Sequence, residues 1–153
     1  MTVRSNIQQL VFLFLFIAVC SSCNKETTNT PETTTTVSKL SMLTANMWIY
    51  DSVYTNWGAA NQAVSFARNG SSNTQDWSKE RLKFYRDGTF DEILTTGVVR
   101  QGINTWTMNS DSTILNTTGG GYSNTVQVLT LTSAKLVWLD NANKTRGVQV
   151  PKY

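Results

Sequence analysis

The chain has 153 residues, a formal net charge of +3, two cysteines and no histidine. This length suits a single domain, and two cysteines that both lie near the N-terminus exclude a disulfide framework. The lack of histidine removes the commonest general base and the commonest metal ligand. The basic residues are interspersed with acidic ones, so the chain lacks the concentrated basic footprint of a nucleic-acid-binding protein.

The N-terminal segment has the features of a secretory signal peptide. Residues 10–19 form an unbroken apolar run, which is shorter than the ~20 residues of a transmembrane helix and typical of a signal-peptide core. Two small serines precede Cys23, an arrangement that resembles the lipobox of bacterial lipoproteins, where cleavage precedes a lipidated cysteine. We therefore predict a signal peptide over residues 1–22 and a lipid anchor on Cys23. Cys20 is the alternative acceptor, but the bulky Val19 precedes it.

Residues 23–38 are predicted to form a tether. They contain seven threonines and one proline but no aromatic side chain, so they cannot bury enough apolar surface to offset the entropy lost on ordering. Such a spacer would hold a folded domain of residues 39–153 close to a lipid bilayer. The resemblance to bacterial lipoproteins implies a lipid-anchored protein of the cell envelope, in the outer membrane, on either its periplasmic or its surface face.

Residues 39–153 are dominated by short β-strand patterns. Aromatic and β-branched residues, which favour strands, are enriched there. Eight strands are predicted, over residues 47–54, 81–85, 89–94, 103–108, 113–116, 124–131, 135–139 and 145–150. This hairpin spacing, without a long helical pattern, indicates an all-β domain whose antiparallel meander closes as a barrel or stacks as a sandwich.

The hairpin around Gly88 admits two registers. A two-residue loop would pair Leu82 with Ile93. A three-residue loop would pair Phe84 with Phe90 and would give Gly88 a positive φ. A slip of one residue turns every side chain to the other face. We favour the three-residue loop, because it places both phenylalanine rings on one face.

A polar insertion over residues 55–78 separates the first two predicted strands. It contains three large aromatic residues, Trp57, Phe66 and Trp77, and its segment 59–66 is expected to form a short helix. Long loops in compact domains are usually functional or disordered, and the aromatic residues argue against full disorder. We expect these three side chains to lie together at one open end of a barrel, where they either close the barrel or form a binding surface for sugars or a protein partner. Trp106 or Tyr85 is expected to reach them from the strands.

Several short motifs carry a family resemblance. They are Trp48 in the first strand, Phe84-x-x-Asp87-Gly88-Thr89-Phe90, Trp106 with Leu115, and Leu129-Thr130 followed by Leu136-x-Trp138. With these residues the chain resembles the small lipocalin-like domains of Bacteroidetes lipoproteins over residues 40–140. The resemblance implies a single up-and-down β-barrel of about eight strands, with a cup for an apolar or glycan ligand. It also implies that Arg146 packs over Trp48.

The residue inventory argues against catalysis. Without histidine, and without a cysteine beyond the predicted anchor region, residues 39–153 offer no Ser–His relay, thiol chemistry or cysteine-bound zinc site. Glycoside hydrolysis needs two carboxylates that face one cleft, and the adjacent strand residues Asp91 and Glu92 point to opposite faces. The protein is therefore predicted not to be an enzyme, and to have no cofactor and no bound metal.

Two functions remain. The first is a membrane-tethered barrel that binds a small apolar or glycan ligand; the candidate ligand-binding residues are Trp57, Phe66, Trp77, Tyr85 and Trp106. The second is an accessory envelope lipoprotein that docks on a protein partner without a small ligand. Because an eight-stranded barrel can be filled by its own side chains or hold one small ligand, an interior cavity of roughly a few hundred Å³ would favour the first function.

Replacement of the predicted anchor should change where the protein is found. We expect Cys23→Ala, expressed in a bacterium, to leave the membrane fraction, because stable attachment depends on acyl chains. Cys20→Ala should remain in the membrane fraction. Fractionation followed by immunoblotting measures the distribution, and a Cys23→Ala protein that still sediments with membranes would contradict the prediction.

Overall fold

The computed structural model describes residues 37–153. In chain order the elements are α1 (Lys39–Ala45), β1 (Met47–Thr55), β2 (Ala63–Ala67), β3 (Arg81–Phe84), β4 (Thr89–Ile93), β5 (Val99–Met108), β6 (Ile114–Gly119), β7 (Tyr122–Leu131), β8 (Leu136–Asp140) and β9 (Thr145–Pro151). The predicted signal peptide, the predicted lipid acceptor Cys23 and the tether up to residue 36 lie outside the described residues. Within residues 37–153, no helix has the length and apolar character needed to cross a bilayer.

Eight strands close into an antiparallel barrel. Strands β3 to β9 follow one another as an up-and-down meander, each hydrogen-bonded to the next. β1 pairs with β3 on one edge and with β9 on the other, which closes the ring. The predicted all-β up-and-down barrel is confirmed, and its eight strands correspond to the eight predicted from the sequence. The sandwich alternative is wrong.

β2 is additional to the ring of eight. It pairs with the second half of β1, on the edge whose first half pairs with β3. The expectation of a short helix over residues 59–66 is therefore wrong. Phe66 lies opposite Val53 in the pairing and is buried against Tyr50 and Val53. Packing of this ring against the sheet outweighs the local sequence preference, as is common for strands.

A β-bulge in β1 changes which residues face the barrel interior. Tyr50 pairs with Gln149 and Ser52 pairs with Val148, so Asp51 is the extra residue and its side chain is exposed. Such a bulge breaks the simple alternation of side chains along a strand. Tyr50 precedes the bulge and Val53 follows it. Residues at this odd spacing would face opposite sides of a regular strand, yet both line the interior.

The hairpin between β3 and β4 has the register of a three-residue loop. Phe84 pairs with Phe90 and Lys83 with Asp91, and Gly88 has a φ of 86°. The two phenylalanine rings stack with their centroids 5.5 Å apart. The predicted three-residue loop is confirmed, and both rings are buried in the barrel.

One end of the barrel, which we call the helix end, is sealed by α1. Leu43 of α1 is fully buried against Trp48, whose indole Nε1 donates a hydrogen bond of 2.9 Å to the Leu43 carbonyl oxygen. Lys83 of β3 donates from Nζ to the carbonyl oxygen of Thr44 at 2.8 Å, where a cation complements the C-terminus of the helix. Lys39 donates to the Leu131 carbonyl oxygen at the end of β7. The helix is thereby fastened to two strands.

Removal of the Trp48 side chain should strongly destabilise the domain. Trp48 is fully buried, and truncation of a buried tryptophan to alanine typically costs about 3–5 kcal/mol in free energy of unfolding. Ile103→Ala is the control, because 61% of that side chain is exposed. Urea unfolding of both variants measures the difference, and a Trp48→Ala midpoint equal to that of Ile103→Ala would contradict the prediction.

Candidate functional site

The barrel encloses a cavity of about 440 Å³. Its apolar part is lined by members of the core cluster that packs against α1, namely Phe84, Phe90, Leu115, Val126 and Leu136. Polar side chains line the cavity towards the opposite end of the barrel. We call this the open end; the β1–β3 insertion and the β8–β9 turn lie there. The cavity is therefore apolar at the helix end and polar towards the open end.

Aromatic rings line the cavity together with the polar side chains of this half. The ring of Tyr50 lies 5.1 Å from the ring of Trp77 and 6.3 Å from that of Trp138, measured between centroids. Trp138 lies against the main chain of Gly147, its partner in the β8–β9 pairing, where any Cβ would overlap the indole. The glycine thus allows the ring to lie flat against the barrel wall.

Three carboxylates line the cavity, and two of them have partners. Glu92 Oε2 accepts hydrogen bonds of 3.2 Å from the Arg100 guanidinium and of 3.2 Å from the Tyr122 hydroxyl. Asp140 accepts from the amides of residues 142 and 143 and from the Asn143 side chain. Glu80 is only 7% exposed, and within residues 37–153 its carboxylate has neither an ion-pair nor a hydrogen-bond partner.

Burial raises the pKa values of three acidic side chains in the cavity wall. Desolvation and, to a smaller extent, the nearby charge of Glu92 raise the pKa of Glu80 to about 7. Burial and the charge of Glu92 raise the pKa of Tyr122 to about 12. Burial, followed by the charges of Glu80 and Glu92, raises the pKa of the Tyr50 hydroxyl well above its usual value. Both phenols are therefore neutral hydrogen-bond donors at neutral pH.

Two buried amides have no hydrogen-bond partner within the described part of the chain. Gln149 is fully buried, lines the cavity and leaves both its Oε1 and its Nε2 unpaired. Asn104 is also fully buried and unpaired, but it lies against Gly119 and does not line the cavity. Buried polar groups without partners cost free energy. Gln149 is therefore a buried, unsatisfied amide within the residues that line the cavity.

The insertion residues predicted to bind a ligand have different environments. Trp77 lines the cavity and packs against Tyr50. Phe66 is buried beside Tyr50 in the core and does not line the cavity. Trp57 packs against Tyr54, with ring centroids 5.3 Å apart, and does not line the cavity. Of these three side chains, the structure therefore places Trp77 in the cavity wall.

The expectation that Tyr85 or Trp106 reaches the insertion aromatics is wrong. Tyr85 lies in the β3–β4 turn at the helix end, where its main-chain oxygen accepts a hydrogen bond of 3.0 Å from Trp106 Nε1. Trp106 is buried against Phe84. The strand direction explains the error, because β3 runs from the insertion at the open end to this turn at the helix end.

Arg146 does not pack over Trp48, so that expectation is also wrong. In the β1–β9 pairing, Arg146 lies opposite Tyr54 at the open end, whereas Trp48 lies opposite Pro151 at the helix end. The Arg146 guanidinium lies 4.4 Å from the ring centroid of Trp57 and 5.3 Å from that of Tyr54. The cation–π contact therefore fastens the insertion to the sheet.

None of the three carboxylates that line the cavity was predicted as a site residue, although the sequence contained a signal for two of them, Glu92 and Glu80. The favoured hairpin register already contained the signal, since residues two apart on a strand face the same side. With Phe90 inside, Glu92 must also be inside. With Phe84 and Leu82 inside, Glu80 lies on the same side, directly before β3.

Comparisons with known proteins provide no family for this chain: no protein-family model matches it, and a search of curated proteins found no similar sequence. Within residues 37–153, no group of three acidic side chains is placed to hold a metal ion. The geometry of the cavity is therefore the basis of the function proposed below.

The raised pKa of Glu80 predicts how stability depends on pH. Its pKa is about 7 in the folded chain and 4.5 for an unperturbed glutamate. Between these values the folded state keeps a proton that the unfolded state has lost, so the free energy of unfolding should fall as pH rises through this range. The exposed Asp76, Asp87 and Asp111, whose pKa values are lowered by hydrogen bonds, titrate below it.

Glu80→Gln tests this dependence, because the amide cannot titrate. Urea unfolding between about pH 5 and pH 8 should show a decline in stability for the wild type that is absent or much smaller in the variant. Parallel profiles for the two proteins would show that Glu80 titrates normally.

Proposed function

We propose that this protein binds a small molecule inside the barrel and is held at a bacterial envelope membrane by a lipid on Cys23. The observation that carries the binding function is the cavity of about 440 Å³, whose wall includes the buried, unpaired amide of Gln149. Ligand pockets are typically concave and mostly apolar, with a few placed polar groups. An amide without a partner is explained if a ligand supplies one.

The two halves of the cavity suit a ligand with an apolar part and a polar part. Leu115, Val126 and Leu136 offer an apolar surface at the helix end. Trp77 and Tyr50 offer ring faces nearer the open end, which can pack against an apolar group or the apolar face of a sugar. This arrangement supports the apolar or glycan ligand that the lipocalin-like resemblance implies.

An accessory function as a docking module is the second candidate. It is favoured by an apolar stripe on the outer face of β5, where Val99 is 51% and Ile103 is 61% exposed, with Val98 beside them at 54%. Exposed apolar patches often mark interaction sites. The cavity favours ligand binding over this alternative, because a barrel that serves only as a scaffold can be filled by its own side chains.

A side chain that fills the cavity should abolish binding. Thr117 lines the cavity, whereas its neighbour Thr118 is exposed on the outer face of β6. We expect Thr117→Phe to weaken binding of the apolar dye N-phenyl-1-naphthylamine at least about tenfold, because the ring occupies ligand space, and Thr118→Phe to leave it unchanged. Dye fluorescence in the purified full-length protein measures the affinity.

Thermal unfolding of both variants checks that they fold, and Val126→Phe fills the cavity from a second strand if Thr117→Phe does not. Native mass spectrometry of the wild type should also show a co-purified small molecule. Equal dye binding by the folded filled and control variants would place the dye outside the barrel and contradict the proposed function.

A further inference from the structure

We propose that the ligand is an organic cation whose ammonium group pairs with the Glu80 carboxylate beside the rings of Tyr50 and Trp77, an inference that rests on the proposed ligand-binding function. These three side chains line one cavity, and Glu80 and Trp77 are joined through a main-chain hydrogen bond of 3.2 Å. The site would accept a primary or a quaternary amine attached to an apolar body.

The cavity wall is acidic. The wall contains Glu80, Glu92 and Asp140 but no lysine or arginine among the described residues. Arg100 neutralises Glu92 from beside the wall, and turn amides satisfy Asp140. Glu80 is left as a buried carboxylate that nothing in residues 37–153 compensates. A buried charge without a partner is costly, and a cationic ligand would supply the partner.

Aromatic rings line the cavity wall together with Glu80. Tyr50 and Trp77 are in contact, with centroids 5.1 Å apart, and Trp138 meets the other side of Tyr50 at 6.3 Å. Ring faces attract cations, most strongly where water is excluded, and cages of this kind recognise quaternary ammonium groups. The cavity therefore combines a carboxylate with several aromatic ring faces, and both features favour a bound cation.

Gln149 adds an observation that is independent of charge. This residue lies opposite Tyr50 in the β1–β9 pairing and belongs to the cavity lining, and its side-chain amide is fully buried with an unpaired carbonyl oxygen. A primary ammonium group has three donors but no acceptor. One donor can reach a carboxylate while another reaches the amide oxygen, so the same ligand group would satisfy two polar side chains.

The charge state of Glu80 predicts the sign of the pH dependence. Its raised pKa of about 7 means that it is half protonated near neutral pH in the free protein. A cation binds the deprotonated form, so affinity should rise with pH; a neutral ligand that accepts a hydrogen bond from the protonated form would show the opposite trend.

Other charged and titratable groups also lie near Glu80, so the comparison with Glu80→Gln is needed to assign the pH profile to this residue. The groups on neighbouring elements are Glu92 on β4, paired with Arg100 on β5, Asp140 on β8, Tyr50 on β1 and Tyr122 on β7. The raised pKa values keep both phenols neutral in this range. Arg81 follows Glu80 in the chain and donates to the main-chain oxygens of residues 78 and 80.

Matched pairs of probes test the proposal. Choline is compared with 3,3-dimethyl-1-butanol, and 2-phenylethylamine with 2-phenylethanol, by calorimetry on the purified full-length protein. In at least one pair, the amine should bind at least about tenfold more tightly than the alcohol near pH 8. Choline has a permanent charge, so its affinity should rise about tenfold between about pH 6 and pH 8 as Glu80 loses its proton.

Glu80→Gln should reduce the affinity for the amine about tenfold, leave that for the matched alcohol within about twofold and remove the pH dependence. Asp51→Asn is the control, because it removes a carboxylate that is exposed on the same strand as Tyr50, and it should change none of these values. If Glu80→Gln does not fold, the pH profile of the wild type decides.

The outcomes separate this inference from the proposed function. The cation proposal is overturned if neither amine binds better than its alcohol, or if the affinity for the amine falls with rising pH. In that case the ligand-binding function still stands, provided that Thr117→Phe abolishes dye binding. If cavity filling leaves dye binding unchanged, the ligand-binding function itself fails.

Discussion

The pairing of β1 with β9 is the constraint on which the rest of the structure depends. It closes the meander into a ring, and closure forces every second residue of eight strands into one shared interior. The bulge at Asp51 in β1 shifts this alternation within the closing strand. As a result Tyr50 and Val53 both face inwards, and Gln149 of β9 is placed directly opposite Tyr50.

The interior is filled unevenly, and this creates the cavity. Near α1, large apolar side chains such as Trp48, Phe84 and Trp106 occupy the available space. Towards the open end the lining includes polar side chains such as Thr117 together with the rings of Tyr50 and Trp77, and a cavity remains between the walls of the barrel. The same enclosure that excludes water from the core also desolvates Glu80, so the raised pKa of this residue follows from the architecture.

Stability alone does not explain the polar half of the interior. A buried carboxylate without a partner and a buried amide without a partner both oppose folding, and an apolar residue at either position would remove that cost. Groups of this kind with a shifted pKa, placed together in a cavity, are typical of functional sites. The arrangement of Glu80, Gln149 and Tyr50 therefore supports the proposed recognition of a ligand, which the proposed lipid anchor on Cys23 would hold at a membrane.

The sequence alone determined the number of strands in the ring and the register of the central hairpin. These features depend on local patterns: a glycine suited to positive φ at residue 88, and phenylalanines on one face of neighbouring strands. The same register implied that Glu92 faces inwards. The bulge at Asp51, the contact of Arg146 with Trp57 and the presence of Glu80 and Gln149 in one cavity lining were decided by the tertiary structure, because they arise from pairings between residues far apart in the chain, which no local pattern specifies.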